Sequence, residues 1–402
     1  MTEDAARSNK GPLTDLRVLE LGQLIAGPFC GQLFADMGAD VIKIEPPGQG
    51  DPMRVWGREG YPLLWSVLAR NKKCITVNLR EAGGQDIVRK LVAQADFLIE
   101  NFRPGTLEKW GLGFEALQEI NPGLIMIRVS GYGQTGPYSK RPGYASVGEA
   151  MGGVRYLIGE PDRKPSRAGI SIGDTLAGTY ATLGALAALH HREKTGRGQV
   201  IDTSIYESVL AMTESLVPEY TIEGFTRERT GSFLPDIAPS NIYEAADGMV
   251  IIAANQDTIF GRFCEAIGQP ELASDPDYAT HVARGIRQKQ LDDLIQDWTL
   301  QRSVDEIEDV MIAHAVPVGK IYKAADMLDD PHYAARDSLV DAPSEKWGSV
   351  KMQNVAPKLS ETPGEIRWAG PDELGQHTDG VLQDLLDLTE SQLEVLRANK
   401  VI

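Results

Sequence analysis

The chain has 402 residues, with 40 Lys or Arg against 57 Asp or Glu, so its formal net charge is −17. So large an acidic excess argues against a broad surface for nucleic acid or for an anionic membrane. A composition of 42% hydrophobic and 24% charged residues excludes a largely disordered chain, a collagen and a disulfide-stapled miniprotein. The length favours two domains, because domains usually contain about 100–200 residues.

The cysteines and the hydrophobic segments indicate a cytoplasmic protein. The three cysteines, Cys30, Cys74 and Cys264, form no C-x-x-C motif, and a sparse, odd number is typical of reduced thiols. Residues 1–10 are polar and lack the apolar core of a signal peptide. The charge-free stretch Thr175–His191 contains threonine, tyrosine and glycine. It favours a buried helix over a membrane span, which needs ~20 predominantly apolar residues.

Strand-like and helix-like segments alternate through the first half of the chain. Strands are predicted at Leu16–Leu21, Asp40–Ile44, Cys74–Leu79, Phe97–Glu100 and Leu124–Ser130. Helical spacing of apolar residues predicts helices at Phe29–Met37, Gln85–Gln94 and Phe114–Ile120. Because alternating strands and helices form right-handed βαβ units, this half is expected to be an α/β domain with a parallel sheet.

The second half begins with more of the same pattern and then changes. The further segments predicted are a helix at Thr175–His191, a strand at Val200–Thr203 and a helix from Ile205. Glycine, proline and charge in Arg227–Pro239 indicate a linker into a second domain. There Asp247-Gly248 predicts a β-hairpin of Ile242–Ala245 and Met249–Ala254, with a turn that needs positive φ. Helices are predicted at Asp257–Ile267, Ile286–Leu300, Val304–His314, Val381–Leu386 and Glu390–Asn399.

Two motifs resemble known sites but lack part of the required pattern. The turn Gly22–Pro28 is similar to a dinucleotide-binding turn, with Glu45 where a ribose-binding acid would lie, yet G-x-G-x-x-G is absent. Glycines that pack a strand against a helix are the favoured interpretation. Gly169-Ile-Ser171-Ile-Gly173 matches the nucleophile elbow of α/β-hydrolases. The charged, proline-containing Pro161–Arg167 precedes it, where the elbow needs an apolar strand.

Asp174 comes directly before the long apolar helix and has two interpretations. As an N-cap, its carboxylate would accept a hydrogen bond from the first helical amides, and caps are far commoner than nucleophiles. Alternatively, the amides and dipole of the helix start would keep the carboxylate ionised in a poorly hydrated cleft. An ionised carboxylate is a covalent nucleophile toward acyl groups. The local pattern alone favours the cap.

A basic segment precedes Asp174 in this otherwise acidic protein. It contains Lys140, Arg141, Arg155, Arg163, Lys164 and Arg167. A solvated loop is the simplest interpretation, and a cradle for phosphate or carboxylate is the alternative. The six histidines form no H-x-x-x-H motif, and none pairs with a cysteine at ligand spacing, so no metal site is expected.

Seven segments spread over essentially the whole chain carry a family resemblance. They are Leu19–Pro28, Ala39–Glu45, Glu100–Gly105, Ser130–Pro137, Gly173-Asp174, Lys194–Gln199 and Leu374–Thr378. In this order and spacing they resemble the class III (CaiB/BaiF-type) CoA-transferases, the family of formyl-CoA transferase and carnitine CoA-transferase. The pieces E-N-F-R-P-G and G-D are the most specific in combination.

The resemblance implies a doubly wound, Rossmann-like large domain and a smaller α+β middle domain. The large domain would comprise residues 1–225, the middle domain 226–325, and the segment 326–402 would return to the large domain. It also implies two chains threaded through each other as an interlocked homodimer, a rare exception to unthreaded topology.

The resemblance also assigns site residues. Asp174 aligns with the family's catalytic aspartate, and backbone amides at the start of its helix are candidates for stabilising the oxyanion. The CoA-contacting positions fall on Ile25, Ala26, Leu79, Arg80, Asn101, Phe102, Arg103, Lys109, Arg141 and Tyr144. Two departures are that Pro46 replaces a basic residue and that the family's glycine-rich active-site loop is not evident in Gly231–Ser240.

The implied function is an acyl-CoA:carboxylate CoA-transferase with aspartyl anhydride and aspartyl-CoA thioester intermediates. CoA is then a substrate, and no cofactor or metal is required. A dicarboxylate such as succinate is expected as one partner, with Arg155 or Arg167 pairing its distal carboxylate. The alternatives are a CoA-binding protein without activity and an acyl-CoA racemase or epimerase. The racemase has a histidine near the position of Tyr144, and no histidine precedes His190.

Overall fold

The structure, a computed structural model, describes residues 11–402; the expectation for residues 1–10 lies outside it. The described chain forms two compact units. The first runs to Arg155 and continues over Ala168–Ser215 and His332–Ile402. The second comprises Tyr156–Arg167 and Leu216–Pro331. Residues 156–167 and 216–225, which the sequence analysis placed in the large domain, thus belong to the second unit, as do residues 326–331, which it placed in the returning segment.

The elements have the following bounds. The strands are β1 (Arg17–Glu20), β2 (Asp40–Glu45), β3 (Lys73–Thr76), β4 (Phe97–Glu100), β5 (Ile125–Ser130), β6 (Val200–Ser204), β7 (Ser240–Glu244), β8 (Met249–Ala253), β9 (Val318–Lys320), β10 (Leu339–Ser344) and β11 (Gly348–Gln353). The helices are α1 (Ala26–Asp36), α2 (Leu63–Leu68), α3 (Ala82–Val92), α4 (Thr106–Lys109), α5 (Phe114–Ile120), α6 (Ala145–Met151), α7 (Val154–Leu157), α8 (Ile172–Thr195), α9 (Ile205–Leu210), α10 (Leu216–Glu223), α11 (Asp257–Ala266), α12 (His281–Ile286), α13 (Gln288–Thr299), α14 (Val304–Ala313), α15 (Ala324–Asp329), α16 (Pro331–Ala335), α17 (Thr378–Leu386) and α18 (Glu390–Ala398).

The first unit is built on a six-stranded parallel sheet of order β3-β2-β1-β4-β5-β6. From β1 the chain proceeds outward to β3, returns to β4 beside β1, and proceeds to β6. This order is doubly wound, and its switch point lies between β1 and β4. Val18 belongs to the core cluster that includes α1 and α8, and Leu19 to the cluster that includes α3 and α5. Burial on both faces explains the continuous apolar strands.

The predicted parallel α/β sheet is confirmed, with differences at the ends of elements. Strand β3 ends at Thr76 rather than Leu79. Beyond its end, the Asn78 amide donates to the Val401 carbonyl at 2.8 Å, so this segment binds the C-terminal residues instead of continuing the sheet. The hairpin of β10 and β11 was not predicted. No helix within residues 11–402 is long and apolar enough to cross a membrane.

The second unit contains an antiparallel sheet of order β7-β8-β9 with helices α11 to α14. The hairpin predicted around Asp247-Gly248 is confirmed, since β7 pairs with β8. The positive φ expected for its turn is wrong, because neither residue has one. The connection is longer than two residues, and the Asp247 carboxylate accepts a hydrogen bond from the Val304 amide at 2.8 Å, at the start of α14.

Candidate active site

The loops after β1 and β4 are joined at the switch point of the sheet. Asn101, directly after β4, donates from Nδ2 to the Gln23 carbonyl and accepts at Oδ1 from the Gln23 amide, both at 2.8 Å. A Cβ added at Gly22 or Gly27 would come within 3.2 or 3.3 Å of the Asn101 side chain. The glycines thus permit close packing, as the sequence interpretation favoured. In doubly wound sheets this crevice is where ligands bind.

The ten residues predicted to contact CoA all belong to the first unit. They lie after strands β1 (Ile25, Ala26), β3 (Leu79, Arg80), β4 (Asn101, Phe102, Arg103, Lys109) and β5 (Arg141, Tyr144). Carboxyl ends of parallel strands share one edge of a sheet, so these loops meet at one edge. Four of the residues are exposed cations (Arg80, Arg103, Lys109 and Arg141), and cations are the groups that bind phosphates.

Asp174 lies in the first turn of α8, whose N-cap is Ser171. The interpretation of Asp174 as the cap is therefore wrong, because the helix begins at Ile172 and not at residue 175. Gly178 follows one turn later on the same face. A Cβ there would lie 3.0 Å from the Ala26 carbonyl oxygen, so α8 packs closely on the start of α1. Asp174 is thus one helical turn, about 5 Å, from a contact with the loop predicted to bind CoA.

A buried carboxylate, Glu149 of α6, contacts the first turn of α8. Its Oε1 accepts a hydrogen bond from the Gly173 amide at 3.3 Å, and its Oε2 accepts one from Arg155 Nη2. The Glu149 side chain is 3% exposed, and a Cβ at Gly173 would lie 3.1 Å from Glu149 Cγ. Because Glu149 already accepts from the Gly173 amide, this amide does not serve as one of the expected oxyanion donors.

Burial and, next, the negative charge of Glu149 raise the pKa of Asp174 from 3.8 to about 7. This direction is opposite to the one expected from the helix start, where amides and dipole were expected to hold the carboxylate ionised. Near neutral pH, Asp174 therefore exists in both protonation states. Its ionised form is poorly hydrated and a stronger base than a free aspartate, which favours nucleophilic attack.

Beneath the loop after β1 lies a buried charge cluster, formed by Glu20, Lys43, Glu45, Asp51, Arg54 and Lys72. Glu45, considered above as a ribose ligand, is 1% exposed and accepts two hydrogen bonds from Arg54 at 2.7 and 2.8 Å. The ribose interpretation is therefore wrong. Asp51 Oδ1 accepts from the Leu24 amide at 3.1 Å, so the cluster fixes the loop from below.

The two arginines predicted to bind a substrate carboxylate lie in different units. Arg155 already has a carboxylate partner in Glu149, and its buried Nε has no hydrogen-bond partner among the described residues. Arg167 is exposed and belongs to the second unit. No strand occurs between residues 158 and 171, so the hydrolase elbow at Ser171 lacks the strand it requires. No cluster of His, Cys, Asp or Glu suited to a metal ion occurs within residues 11–402.

Sequence reasoning missed Glu149. It is the only charged residue within α6, between small and apolar neighbours. An acid in such a segment signals burial with a partner, because an unpaired buried charge is costly. That signal was present, but the partner on α8 is identified only by the fold.

The family model described as CoA-transferase family III matches residues 13–378. The chain is 59% identical to the succinyl-CoA–D-citramalate CoA-transferase of Chloroflexus aurantiacus over 97% of this chain and 98% of that protein. It is 36% identical to the succinate–glutarate CoA-transferase of Agrobacterium fabrum over 94% and 96%. A CaiB/BaiF family protein from Brucella suis has a similar crystal structure, with a TM-score of 0.85, 34% identity and coverage of 94% and 100%.

These likenesses extend over nearly the full length of both chains, and the solved structure matches the observed fold. They establish that this chain belongs to CoA-transferase family III and is a CoA-transferase.

Proposed function

We propose that this enzyme moves CoA between succinate and a second short dicarboxylate, with Asp174 as covalent nucleophile. The observation that carries the proposal is the position of Asp174 in the first turn of α8. It lies one turn before Gly178, where α8 packs closely on the carbonyl of Ala26. The names of the two relatives above add support, because each names succinate or its thioester together with a C5 dicarboxylate.

The chemistry divides one exchange into four acyl transfers. Asp174 attacks the carbonyl carbon of the donor thioester and the C–S bond breaks. CoA leaves as the thiolate, and a mixed anhydride of Asp174 and the donor acid remains. The thiolate attacks the aspartyl carbonyl and releases the donor acid. The acceptor carboxylate then attacks the resulting aspartyl-CoA thioester and gives a second anhydride and thiolate. Attack of the thiolate on the acceptor carbonyl yields the new thioester and regenerates the Asp174 carboxylate.

A dicarboxylate substrate needs a cation for its distal carboxylate, because an unpaired charge in a closed cleft is costly. Arg155 and Arg167 stay the predicted partners, since an arginine fork matches a carboxylate. Arg155 already pairs with Glu149, so an effect of Arg155→Gln would have two sources. Arg167→Gln is the cleaner variant and is expected to raise KM for dicarboxylates far more than for monocarboxylates.

The test combines trapping with a substrate panel. Wild-type enzyme with succinyl-CoA and hydroxylamine is expected to yield a hydroxamate on Asp174, detectable by peptide mass spectrometry, and Asp174→Ala to yield none. Transfer from succinyl-CoA is expected to D-citramalate or glutarate and not to butyrate. Full activity of Asp174→Ala would overturn the mechanism. Deuterium incorporation at the α-carbon of a 2-methylacyl-CoA, without CoA exchange, would instead favour the racemase.

The proposed assembly is a cytoplasmic homodimer of interlocked chains. Exposed apolar side chains on one face of α8, including Leu183 and Leu186, support an assembly in which a second copy covers this helix. The three cysteines are buried and free, which is compatible with a reducing compartment.

A further inference from the structure

The four-step mechanism makes no use of the buried carboxylate closest to the reacting helix turn. Glu149 lies on α6, and its side chain is 3% exposed. A carboxylate so deeply buried is costly unless it is paired and hydrogen-bonded. Here the two partners are Arg155 and the amide of Gly173, the residue directly before Asp174.

The Gly173 hydrogen bond ties Glu149 to the geometry of Asp174. The first amides of a helix have no acceptor within the helix, and Glu149 supplies one from α6. A Cβ at Gly173 would lie 3.1 Å from both Glu149 Cγ and Ile205 Cγ2, and 3.3 Å from the Ala145 carbonyl oxygen. The first turn of α8 is therefore held between α6 and α9, and Asp174 with it.

Charge is the second link. Helices α6, α8 and α9 pack against one another. Ionisable groups near this contact include Glu149 and Tyr144 on or beside α6, Asp174 on α8, Arg155 on α7, and Tyr206 and Glu207 on α9. Glu207 is engaged by the Ser204 hydroxyl. Arg155 is the one cation of this group, and it pairs with Glu149. A carboxylate beside Asp174 disfavours the ionised form of Asp174, and a cation beside that carboxylate offsets this effect.

We infer that Glu149 is a positioning residue for Asp174: its carboxylate fixes the first turn of α8, and its charge, balanced by Arg155, controls the ionisation of Asp174. This inference rests on the proposed role of Asp174 as nucleophile. The hydrogen bonds of the Glu149 carboxylate are with the Gly173 amide and with Arg155, so the inference assigns it an action through Asp174. Asp174 serves as nucleophile in the first step of the proposed cycle and as leaving group in the last. A more basic Asp174 is a better nucleophile but a poorer leaving group. A residue that sets the basicity of Asp174 therefore sets the relative rates of these two steps.

The test measures the protonation of Asp174 without substrate. Carbodiimides modify protonated carboxyl groups, so the labelling of Asp174 against pH, quantified by peptide mass spectrometry, gives its midpoint. Glu149→Gln keeps an oxygen for the Gly173 amide but removes the charge, and is expected to lower the midpoint by about one pH unit or more. Arg155→Gln is expected to raise it. Asp292→Asn, which removes a partly buried acid of the second unit, is the matched control and is expected to leave the midpoint unchanged.

The double variant Glu149→Gln with Arg155→Gln shows whether Arg155 affects the protonation of Asp174 through Glu149 or independently of it. If Arg155 acts through Glu149, Arg155→Gln moves the midpoint much less in the Glu149→Gln background than in wild type. The acid limb of kcat/KM for succinyl-CoA is expected to follow the labelling midpoint in each variant. Since Arg155→Gln tests the charge relation separately, the inference does not depend on Glu149→Gln folding.

An unchanged midpoint in folded Glu149→Gln, or in Arg155→Gln, would overturn the inference. Failure of the proposed function has a different signature. In that case the midpoints move as stated, while Asp174→Ala retains transfer activity and no hydroxamate forms.

Discussion

Asp174 loses much of its hydration on burial, and the charge that acts on it there is that of another acid, Glu149. Its pKa of about 7 has burial as its main cause and Glu149 as its second. Such shifts are typical of functional carboxylates, because groups that titrate near the working pH exchange charge readily during catalysis. This arrangement lowers the stability of the folded protein at alkaline pH, because the folded state then contains an ionised, poorly hydrated carboxylate.

The first prediction is that Asp174→Asn abolishes transfer and stabilises the protein at pH 8. An unfolded aspartate titrates near 3.9, so the folded state binds this proton more tightly than the unfolded state. The contribution to stability is present below about pH 4 and is lost as pH rises through about 7. The variant is expected to exceed wild type by about 2 kcal/mol at pH 8, with the difference vanishing toward pH 4. Urea unfolding at both values measures this, and a stability gain equal at both would contradict it.

The second prediction concerns Asp51, which is 1% exposed and lies 2.8 Å from Lys43 Nζ. Its Oδ1 also accepts from the amide of Leu24, a residue with φ of 64°, a conformation that costs about 1–2 kcal/mol. Asp51→Ala removes one of the two carboxylate partners of the buried Lys43, whose other partner is Glu20 at 3.0 Å, and the hydrogen bond that holds this loop. We expect a loss of about 3 kcal/mol in the free energy of unfolding, the low end for a broken buried pair, because Glu20 still pairs with Lys43.

The control for Asp51 is Asp341→Ala, which breaks the exposed pair with Lys351. Exposed pairs contribute about 0–1 kcal/mol, so this variant is expected to unfold nearly as wild type does. If the two variants lost similar stability in urea unfolding, the structural role assigned to the buried charge cluster would be wrong.

At the residue scale, the sequence predicted residues that belong to a family motif and missed residues whose role depends on contacts made in the fold. Asp174 was predicted to be the nucleophile through the Gly173-Asp174 pair and stays a prediction, whereas Glu149 lies 24 residues before Gly173 with no motif around it. Glu45 illustrates the reverse error. Its position after β2 matched a ribose ligand, but Arg54 is close enough in the fold to bind both of its oxygens.

At the scale of elements, the first turn of α8 depends on the absence of a side chain at Gly173. The third prediction is that Gly173→Ala lowers kcat at least tenfold while the enzyme stays folded. A Cβ would lie 3.1 Å from Glu149 Cγ and from Ile205 Cγ2, so α6 and α9 must shift and displace Asp174. A small misplacement of a reacting group costs about a hundredfold in rate, whereas overpacking typically costs about 1–3 kcal/mol of stability.

The matched control is Gly261→Ala, within helix α11, where an added Cβ meets nothing within 4 Å. Alanine is favoured over glycine in helices by about 1 kcal/mol, so this variant is expected to keep wild-type kcat and to gain stability. Initial rates and circular dichroism melting measure both variants. Wild-type kcat in Gly173→Ala would show that the tight packing does not position Asp174.

The elements themselves were predictable where burial gives a strong pattern. The strands β1 to β5 are largely buried runs, whereas the edge strand β6 is buried only at its last two residues. Their alternation with helices predicted a parallel sheet. The hairpin β10–β11 was missed because most of its residues are exposed or only partly buried. The start of α8 was placed three residues late, because Ile172 and Gly173 before Asp174 read as part of a glycine-rich loop.

At the scale of the whole molecule, the sequence predicted that the chain leaves the large domain and returns to it. Residues 332–402 belong to the first unit, and Val401 and Ile402 lie in its core. The inclusion of 156–167 in the second unit was not predictable, because this exposed segment has no apolar pattern. Its assignment depends on contacts distant in sequence, such as the hydrogen bond from the Gly231 amide to the Gly159 carbonyl at 3.0 Å.

The last prediction is a homodimer that does not exchange subunits. Leu183 and Leu186, three residues apart on α8, are 62% and 40% exposed, and Leu210 and Met212 are 41% and 56% exposed. Exposed apolar groups of this kind on neighbouring elements mark association surfaces. Analytical ultracentrifugation is expected to give a dimer at nanomolar concentration. Mixed dimers of tagged and untagged chains are expected to form only after unfolding and refolding, because threaded chains cannot separate while folded.

Leu183→Glu with Leu186→Glu is expected to reduce the yield of folded dimer, and Val282→Glu, on the exposed surface of α12, is expected to leave it unchanged. A folded, active monomer would refute the dimer, and rapid subunit exchange between native dimers would refute the threading alone.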